Sequence, residues 1–207
     1  MRLLPRPHDR SEPEPSEPDP VAELALEPVI DPVASDAVPA VSEGSTDVRI
    51  LVFANQKGGV AKTTTTLNLG VAFGEMGYRV LLVDLDPQGN LTMSQGLNPD
   101  SIERSMFDVL VHKVPLSDII HKREVDLAVS SIDLAGAELA LAAMIGRERA
   151  LEKALVEVRD KYDLILVDTP PSLGLLTINA FVAATGVIVP VQCEYLSLRG
   201  LVQLENT

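Results

Sequence analysis

The chain has 207 residues, of which 46% are hydrophobic and 3% aromatic, so its core must be built mostly from aliphatic side chains. That length is sufficient for one domain of ordinary size. The formal net charge of -13 argues against nucleic-acid binding by bulk electrostatics. The single cysteine, Cys193, excludes an internal disulfide and fits a reducing cytosol. No apolar run approaches the ~18 residues of a membrane span.

Residues 1–46 differ in composition from the rest of the chain. They contain nine of the fifteen prolines and ten Asp or Glu against three Arg, a net charge of -7. Proline removes backbone donors and like charges repel, so such a segment buries too little surface to offset the entropy of ordering. We therefore predict a disordered acidic tail over 1–46 and a folded domain over 47–207. A solubilising role is the favoured interpretation of the tail, and partner binding is the alternative.

Apolar runs and helix-like spacing alternate from Val48 onward. The predicted elements are, in order, strand 48–54, helix 63–76, strands 79–86 and 126–130, a helical stretch 133–160 that Gly146 divides, strand 163–168, helix 173–184 and strand 186–191. Within helix 63–76, Leu69, Ala72, Phe73 and Met76 share one face, which predicts that this face is apolar and inward. Continuous apolar strands that alternate with helices predict a doubly wound, mostly parallel α/β sheet covered on both faces.

The segment "NQKGGVAKTTTT" (55–66) connects the first strand to the first helix. Unpaired amides at a helix N-terminus bind anions, and Gly58 and Gly59 let the backbone curl into a nest of donors. Lys62 stands at the helix start, where its ammonium can reach the outer phosphates of a nucleotide. The hydroxyl of Thr63 can ligate the Mg²⁺ that accompanies a nucleoside triphosphate. The three histidines of the chain are scattered, so a histidine metal site is not expected.

The common phosphate-loop pattern, G-x-x-x-x-G-K-[ST], fails here at Gln56 and Ala61, and K-G-G-x-x-K-T-T stands in its place. This segment resembles the deviant Walker A motif of the ParA/MinD superfamily of P-loop ATPases. The resemblance implies that Lys57 reaches the phosphates of a second subunit, whereas Lys62 serves its own. Position 61 is more commonly Gly in that family, so Ala61 requires a negative φ there. The implied nucleotide contacts are Lys57, Gly58, Gly59, Val60, Ala61, Lys62, Thr63 and Thr64.

Three aspartates follow predicted strands. In "LLVDLDPQGN" (81–90), strand periodicity places Asp84 and Asp86 on one side, where one could orient water and the other hold the Mg²⁺ shell. A solvated turn is the alternative, since proline and glycine follow. Asp168 ends the strand in "YDLILVDTPPS", a Walker B arrangement for Mg²⁺, with a helix cap as the alternative.

Resemblance to the D-x-D-P-Q-G-N segment of ParA-type partitioning ATPases gives the water-activating role to Asp86 and support of the metal site to Asp84. The "PQGN" that follows favours the ParA branch over the MinD branch. Further likeness in "SSIDLAGAEL" (130–139) and "PVQCEYLSLRG" (190–200) extends the resemblance from about residue 48 to the end of the chain.

The resemblance implies a cytoplasmic, nucleoid-associated ATPase with weak, partner-stimulated hydrolysis that uses ATP and Mg²⁺. Its partners would be a second copy in an ATP-dependent homodimer, a ParB-like protein and, by family analogy only, non-specific DNA, but no membrane. Family members continue beyond the length of this chain, in the part that supplies adenine contacts and most of the DNA-binding surface. We therefore expect the ATPase domain to be C-terminally incomplete.

Two alternatives remain open at this point. One is a MinD-like or cargo-positioning ATPase, and the other is a catalytically idle interaction protein. A nitrogenase iron-protein function is excluded because paired cluster cysteines are absent.

Overall fold

The structure is a computed structural model that describes residues 48–192. The predicted tail (1–46), Cys193 and the remaining C-terminal residues lie outside the described part. The strands are β1 (Arg49–Phe53), β2 (Val80–Asp84), β3 (Ile120–His121), β4 (Asp126–Ala128), β5 (Leu164–Asp168) and β6 (Gly186–Ile188). The α-helices are α1 (Lys62–Glu75), α2 (Asn90–Ser94), α3 (Ala137–Ala142), α4 (Ala150–Leu155) and α5 (Leu175–Ala183). Short 3₁₀ segments occur at Pro99–Ser101, Leu116–Ile119, Ile132–Gly136, Arg147–Arg149 and Val156–Lys161, and a π-helical turn at Asp108–His112.

One six-stranded sheet in the order β3-β4-β2-β5-β1-β6 organises the described residues. All neighbouring strands are parallel except β3, which runs antiparallel to β4. Every residue of β2 and β5 is buried, so these central strands are covered on both faces, as their unbroken apolar runs predict. The predicted doubly wound, mostly parallel α/β fold is confirmed.

The central strands end level with one another at the carboxyl edge of the sheet. Phe53 of β1 pairs with Asp168 of β5, and Asp168 in turn pairs with Asp84 of β2. The loop that follows β1 and the aspartates that end β2 and β5 therefore meet at one edge. This is the edge at which open α/β sheets bind ligands.

Helix α1 turns only part of its predicted apolar face to the core, since Leu69 and Phe73 pack against it. Thr66 and Gly70 are buried, whereas Ala72 and Met76 are exposed, so the predicted inward face is wrong for those two residues. The reason is close packing: a Cβ on Gly70 would lie 2.6 Å from the Leu82 side chain of β2. Small residues let the helix approach the sheet closely, and this contact decides which face turns inward.

Two short elements were not predicted. The antiparallel strand β3 has only two residues, too few for any periodicity to be visible. Helix α2 begins at Asn90, inside the segment interpreted as a turn. Gly146 has a φ of 68° and divides the helical stretch 133–160 as predicted. No helix within residues 48–192 is long and apolar enough to cross a bilayer.

The close contact at Gly70 generates a stability prediction with an internal control. Gly70→Ala should destabilise the chain by about 1 kcal/mol, because overpacking costs about 1–3 kcal/mol and the better helix propensity of Ala returns under 1. Gly74→Ala, on the same helix, should instead stabilise by up to about 1 kcal/mol, since its nearest neighbour is 3.7 Å away. Urea titration of both variants measures the difference, and equal effects would contradict the packing argument.

Candidate functional site

The loop between β1 and α1 is shaped by two residues with left-handed backbone conformation. Gly59 has φ 73°, and Ala61, the residue before the first helical turn, has φ 62° and ψ 26°. The first turn of α1 contains no acidic residue, and its amides receive no side-chain cap from the described residues. These amides are the groups that an anion would bind.

Ala61 does not have the negative φ that would make alanine acceptable at this position. A negative φ was expected at this position, but the observed conformation is left-handed, which costs a residue with a Cβ about 1–2 kcal/mol. Glycine would adopt it without that cost. Backbone strain is therefore located in the loop itself, one residue before Lys62.

The two lysines of the loop lie in opposite environments. Lys62 is only 7% exposed, and its Nζ lies 3.5 Å from the carbonyl oxygen of Lys57. Burial lowers the pKa of Lys62, and the charges of Asp168 and Asp86 oppose that shift. Lys57 is exposed, and its Nζ donates to Oε1 of Gln192 at 2.9 Å. One ammonium thus faces the inside of the loop and the other its outside.

Thr63 and Asp168 form a hydrogen-bonded pair below the loop. The Thr63 hydroxyl donates to Oδ2 of Asp168 at 2.6 Å, while Oδ1 of Asp168 is buried and has no hydrogen-bond partner among residues 48–192. Burial, followed by the charges of Asp84 and Asp86, raises the pKa of Asp168 to about 7. A buried carboxylate oxygen without a partner, beside a hydroxyl oxygen, fits a hard cation such as Mg²⁺.

No group of three or more His, Cys, Asp or Glu side chains within the described residues could hold a metal by itself. This observation matches the usual coordination of Mg²⁺, which is bound by one or two protein ligands together with phosphate oxygens and water. The Thr63–Asp168 pair would therefore need a phosphate to complete a magnesium site.

Asp84 and Asp86 are both buried, and both are engaged by hydrogen bonds. Oδ1 of Asp84 accepts from the Asp86 amide at 3.1 Å, and Oδ2 accepts from the amide and hydroxyl of Thr92 at 2.8 and 2.7 Å. Burial raises the pKa of Asp84 to about 6 despite these bonds. Oδ1 of Asp86 accepts from the Gln88 amide at 2.9 Å.

A protein-family model described as an AAA domain, AAA_31, matches residues 48–207. The Bacillus subtilis sporulation initiation inhibitor protein Soj is 50% identical over 162 residues, which cover 77% of this chain and 64% of Soj. The Myxococcus xanthus chromosome partitioning protein ParA is 43% identical over 162 residues, covering 77% of this chain and 57% of that protein. The chain belongs to the ParA-type ATPases of the ParA/MinD superfamily.

A solved structure extends the likeness of this ParA-type chain to the fold. A Mycobacterium smegmatis protein described as cobyrinic acid a,c-diamide synthase, with bound ATP analog and magnesium, superposes with a TM-score of 0.75 at 49% identity. The match covers 77% of this chain and 66% of that one. This ParA-type chain thus spans less than two thirds of the length of these relatives, whose names refer to different processes.

Two site residues of this ParA-type chain were not found by sequence reasoning. Thr92 and Ser130 are both fully buried, and Ser130 donates its hydroxyl to the carbonyl oxygen of Asp86 at 2.7 Å. No short motif marks either residue, because Ser130 bonds to Thr92 and to Asp86 across 38 and 44 positions of the sequence.

The raised pKa of Asp168 predicts how stability depends on pH. A carboxyl with a folded-state pKa near 7 binds its proton more tightly than in the unfolded chain, so its contribution to stability rises as pH falls through 7 towards 4. Without nucleotide, the melting temperature of the wild type relative to Asp168→Asn should therefore be higher at pH 6 than at pH 8. At pH 8 the variant should be the more stable of the two, since it lacks the buried charge.

Thermal denaturation at both pH values measures this difference. Asparagine can still accept from Thr63, so that hydrogen bond is retained in the variant. A pH-independent difference between the two proteins would show that Asp168 does not titrate in this range.

Proposed function

We propose that the chain binds ATP with Mg²⁺ at the loop before α1 and hydrolyses it as a DNA-partitioning ATPase. The observation that carries the proposal is the Thr63–Asp168 pair, with its unpartnered carboxylate oxygen, directly beside the buried ammonium of Lys62. These groups lie at an uncapped helix start, which is where a phosphate chain binds. The M. smegmatis structure with ATP analog and magnesium supports the same ligands here.

Within one subunit, we assign a role to each residue from its place in the site. The amides of the loop from Gly58 to Thr64 and the ammonium of Lys62 would neutralise the phosphates. Thr63 Oγ1 and Asp168 would hold Mg²⁺, directly or through water, and the ion when bound would neutralise charge on the phosphate oxygens. Asp84 has both carboxylate oxygens committed to Asp86 and Thr92, so it would support the site through those neighbours.

Asp86 is the carboxylate to which we assign the attacking water. It lies two residues beyond the end of β2 and is 7% exposed, so it stands at the carboxyl edge with little bulk water around it. A carboxylate there can orient a water molecule and accept its proton during attack on the terminal phosphate.

We assign to Lys57 a contact with the nucleotide bound by a second subunit. Its exposed position on the outer side of the loop allows its ammonium to approach the phosphates of a facing copy. An ATP-dependent homodimer with two such loops face to face would place two lysines, Lys57 and Lys62, on each nucleotide. The nucleotide is then part of the interface, which makes association depend on ATP.

We infer a cytoplasmic, nucleoid-associated protein whose slow hydrolysis is stimulated by a ParB-like partner. The name of the M. xanthus chromosome partitioning protein ParA supports this assignment of process. Non-specific DNA binding is proposed by family analogy alone, because the net charge of -13 opposes it. A MinD-like or cargo-positioning ATPase is the alternative within the superfamily, and the "PQGN" segment favours the ParA branch.

The catalytically idle interaction protein is disfavoured by the state of the site. A strained left-handed Ala61, a buried lysine and a buried carboxylate oxygen without a partner among the described residues are all unfavourable for folding. Nucleotide binding would account for all three together, whereas a protein that binds no nucleotide offers no compensation for them. Each of these features costs stability, and all three lie around one loop. Binding of ATP·Mg by the purified chain is the measurement that separates the two interpretations.

Replacing Lys62 and replacing Lys57 should impair different functions, monomer binding of ATP·Mg in the first case and dimerisation in the second. Lys62→Ala should weaken ATP·Mg binding by the monomer about ten- to a hundredfold, because a charge-assisted contact to phosphate is worth about 1.5–3 kcal/mol. Lys57→Ala should leave monomer binding within a few-fold of wild type but impair the ATP-dependent dimer and its hydrolysis. Nucleotide titration and sedimentation on both variants provide the two readouts.

Lys113→Ala is a suitable control for these lysine variants, because Lys113 is exposed and its Nζ donates to the Leu110 carbonyl oxygen, outside the loop. Equal loss of monomer binding in both loop variants, with no separate effect on dimerisation, would assign Lys57 to the nucleotide of its own subunit.

Asp86→Ala should retain ATP·Mg binding while turnover falls by roughly 10²- to 10⁴-fold, the range for losing a positioned acid or base. Asp86→Asn should show a similar loss, since the amide keeps the acceptor for the Gln88 amide but is not basic. Single-turnover hydrolysis under saturating ATP is the measurement, because slow product release would hide the chemical step. Undiminished hydrolysis in both variants would remove Asp86 from the mechanism.

A further inference from the structure

A closed set of buried hydrogen bonds lies behind Asp86, at the carboxyl ends of β2 and β4. Thr92 donates both its amide and its hydroxyl to Oδ2 of Asp84, at 2.8 and 2.7 Å. The same hydroxyl oxygen accepts from the Ser130 amide at 3.0 Å. The hydroxyl of Thr92 is therefore used in both directions, as donor and as acceptor.

Two further bonds close the set onto Asp86. The hydroxyl of Ser130 donates to the Asp86 carbonyl oxygen at 2.7 Å, and the Asp86 amide donates to Oδ1 of Asp84 at 3.1 Å. We call these four residues, Asp84, Asp86, Thr92 and Ser130, the Thr92 ring. Asp84, Thr92 and Ser130 are each 0% exposed, so water cannot replace a lost bond without cost.

The Thr92 ring holds the backbone of Asp86 where the sheet no longer does. Strand β2 ends at Asp84, and the last strand-like contact beyond it is the Leu85 amide, which donates to the Asp168 carbonyl oxygen at 3.0 Å. At Asp86 the amide is bonded to Asp84, and the carbonyl oxygen accepts from Ser130 and from the Gly89 amide. The position of Asp86 therefore depends on these side chains and on the turn that follows it.

We propose that Thr92 and Ser130 are positioning residues for Asp86, acting through Asp84 and through the Asp86 carbonyl oxygen. The inference rests on the proposed function, in which Asp86 orients the attacking water. Rates of such steps are sensitive to geometry, and a displacement of ~1 Å can cost about a hundredfold. Losing one bond of the ring should thus slow hydrolysis much more than it weakens nucleotide binding, since neither hydroxyl is assigned a contact with phosphate.

The experiment compares Thr92→Val, which removes the hydroxyl at nearly constant shape, with Thr92→Ser, which retains it. Thr185→Val is the control for loss of a threonine hydroxyl elsewhere, because the exposed Thr185 also accepts one bond, from the Ile50 amide at 2.9 Å, and donates one, to the Ile50 carbonyl oxygen at 3.0 Å. We expect Thr92→Val to lower single-turnover hydrolysis by about ten- to a hundredfold, with ATP·Mg affinity within about threefold. Thr92→Ser should recover most of the rate, and Ser130→Ala should resemble Thr92→Val.

Hydrogen exchange of the amides in residues 84–92 adds a readout that does not depend on turnover. These amides should exchange faster in Thr92→Val than in wild type, and Thr92→Ser should restore their protection. The proposal is overturned if Thr92→Val lowers the rate no more than Thr185→Val does, or if Thr92→Ser is as slow as Thr92→Val.

A wild-type chain that does not hydrolyse ATP would instead refute the proposed function. In that case the exchange measurement still decides whether the ring holds this segment, since unchanged exchange in Thr92→Val refutes the ring as well.

Discussion

Uncompensated negative charge at the carboxyl edge of the sheet is the constraint on which the rest of the site depends. Strand register brings Asp84 and Asp168 side by side, and Asp86 follows two residues later, yet Lys62 is the one buried lysine or arginine in the described part of the chain. A buried carboxylate needs a proton, a cation or hydrogen-bond donors. Without nucleotide, burial raises the pKa of Asp84 to about 6 and that of Asp168 to about 7, which makes both carboxylates easier to protonate, and a bound cation would favour their charged form.

The three carboxylates are distinguished by what occupies their oxygens. Asp84 accepts three hydrogen bonds and so holds the segment that follows β2 in place. Asp168 accepts one bond from Thr63 and keeps one buried oxygen without a partner among the described residues, which is the property of a ligand. Asp86 has its backbone held on both sides. Identical side chains on neighbouring strands thus support different proposed roles, because their surroundings differ.

Sequence reasoning was successful where one local pattern carries the information. Unbroken apolar runs located β1, β2 and β5, and the lysine and glycine spacing located the loop before α1. It was wrong about the inward position of Ala72 and Met76 on α1, because that is set by tertiary contacts such as the one between Gly70 and Leu82, and the left-handed φ of Ala61 has no signature in the sequence. It also missed Thr92 and Ser130, since a hydroxyl that bridges residues 38 positions apart has no signature in either segment.

The geometry of the loop also gives a reason why the proposed dimer would depend on the nucleotide. Two chains of net charge -13 repel each other, and each bound triphosphate would add negative charge at the face where they meet. Association is favourable only if the attraction between cations and phosphates at that face is stronger, at close range, than the repulsion between the negative charges. Lys62 is buried and already interacts with the charges of Asp168 and Asp86 in its own subunit, so it contributes little across an interface. Lys57, on the outer side of the same loop, can contribute there by donating to a phosphate on the facing copy. The nucleotide that repels two such chains at long range is therefore also the group that can hold them together at short range.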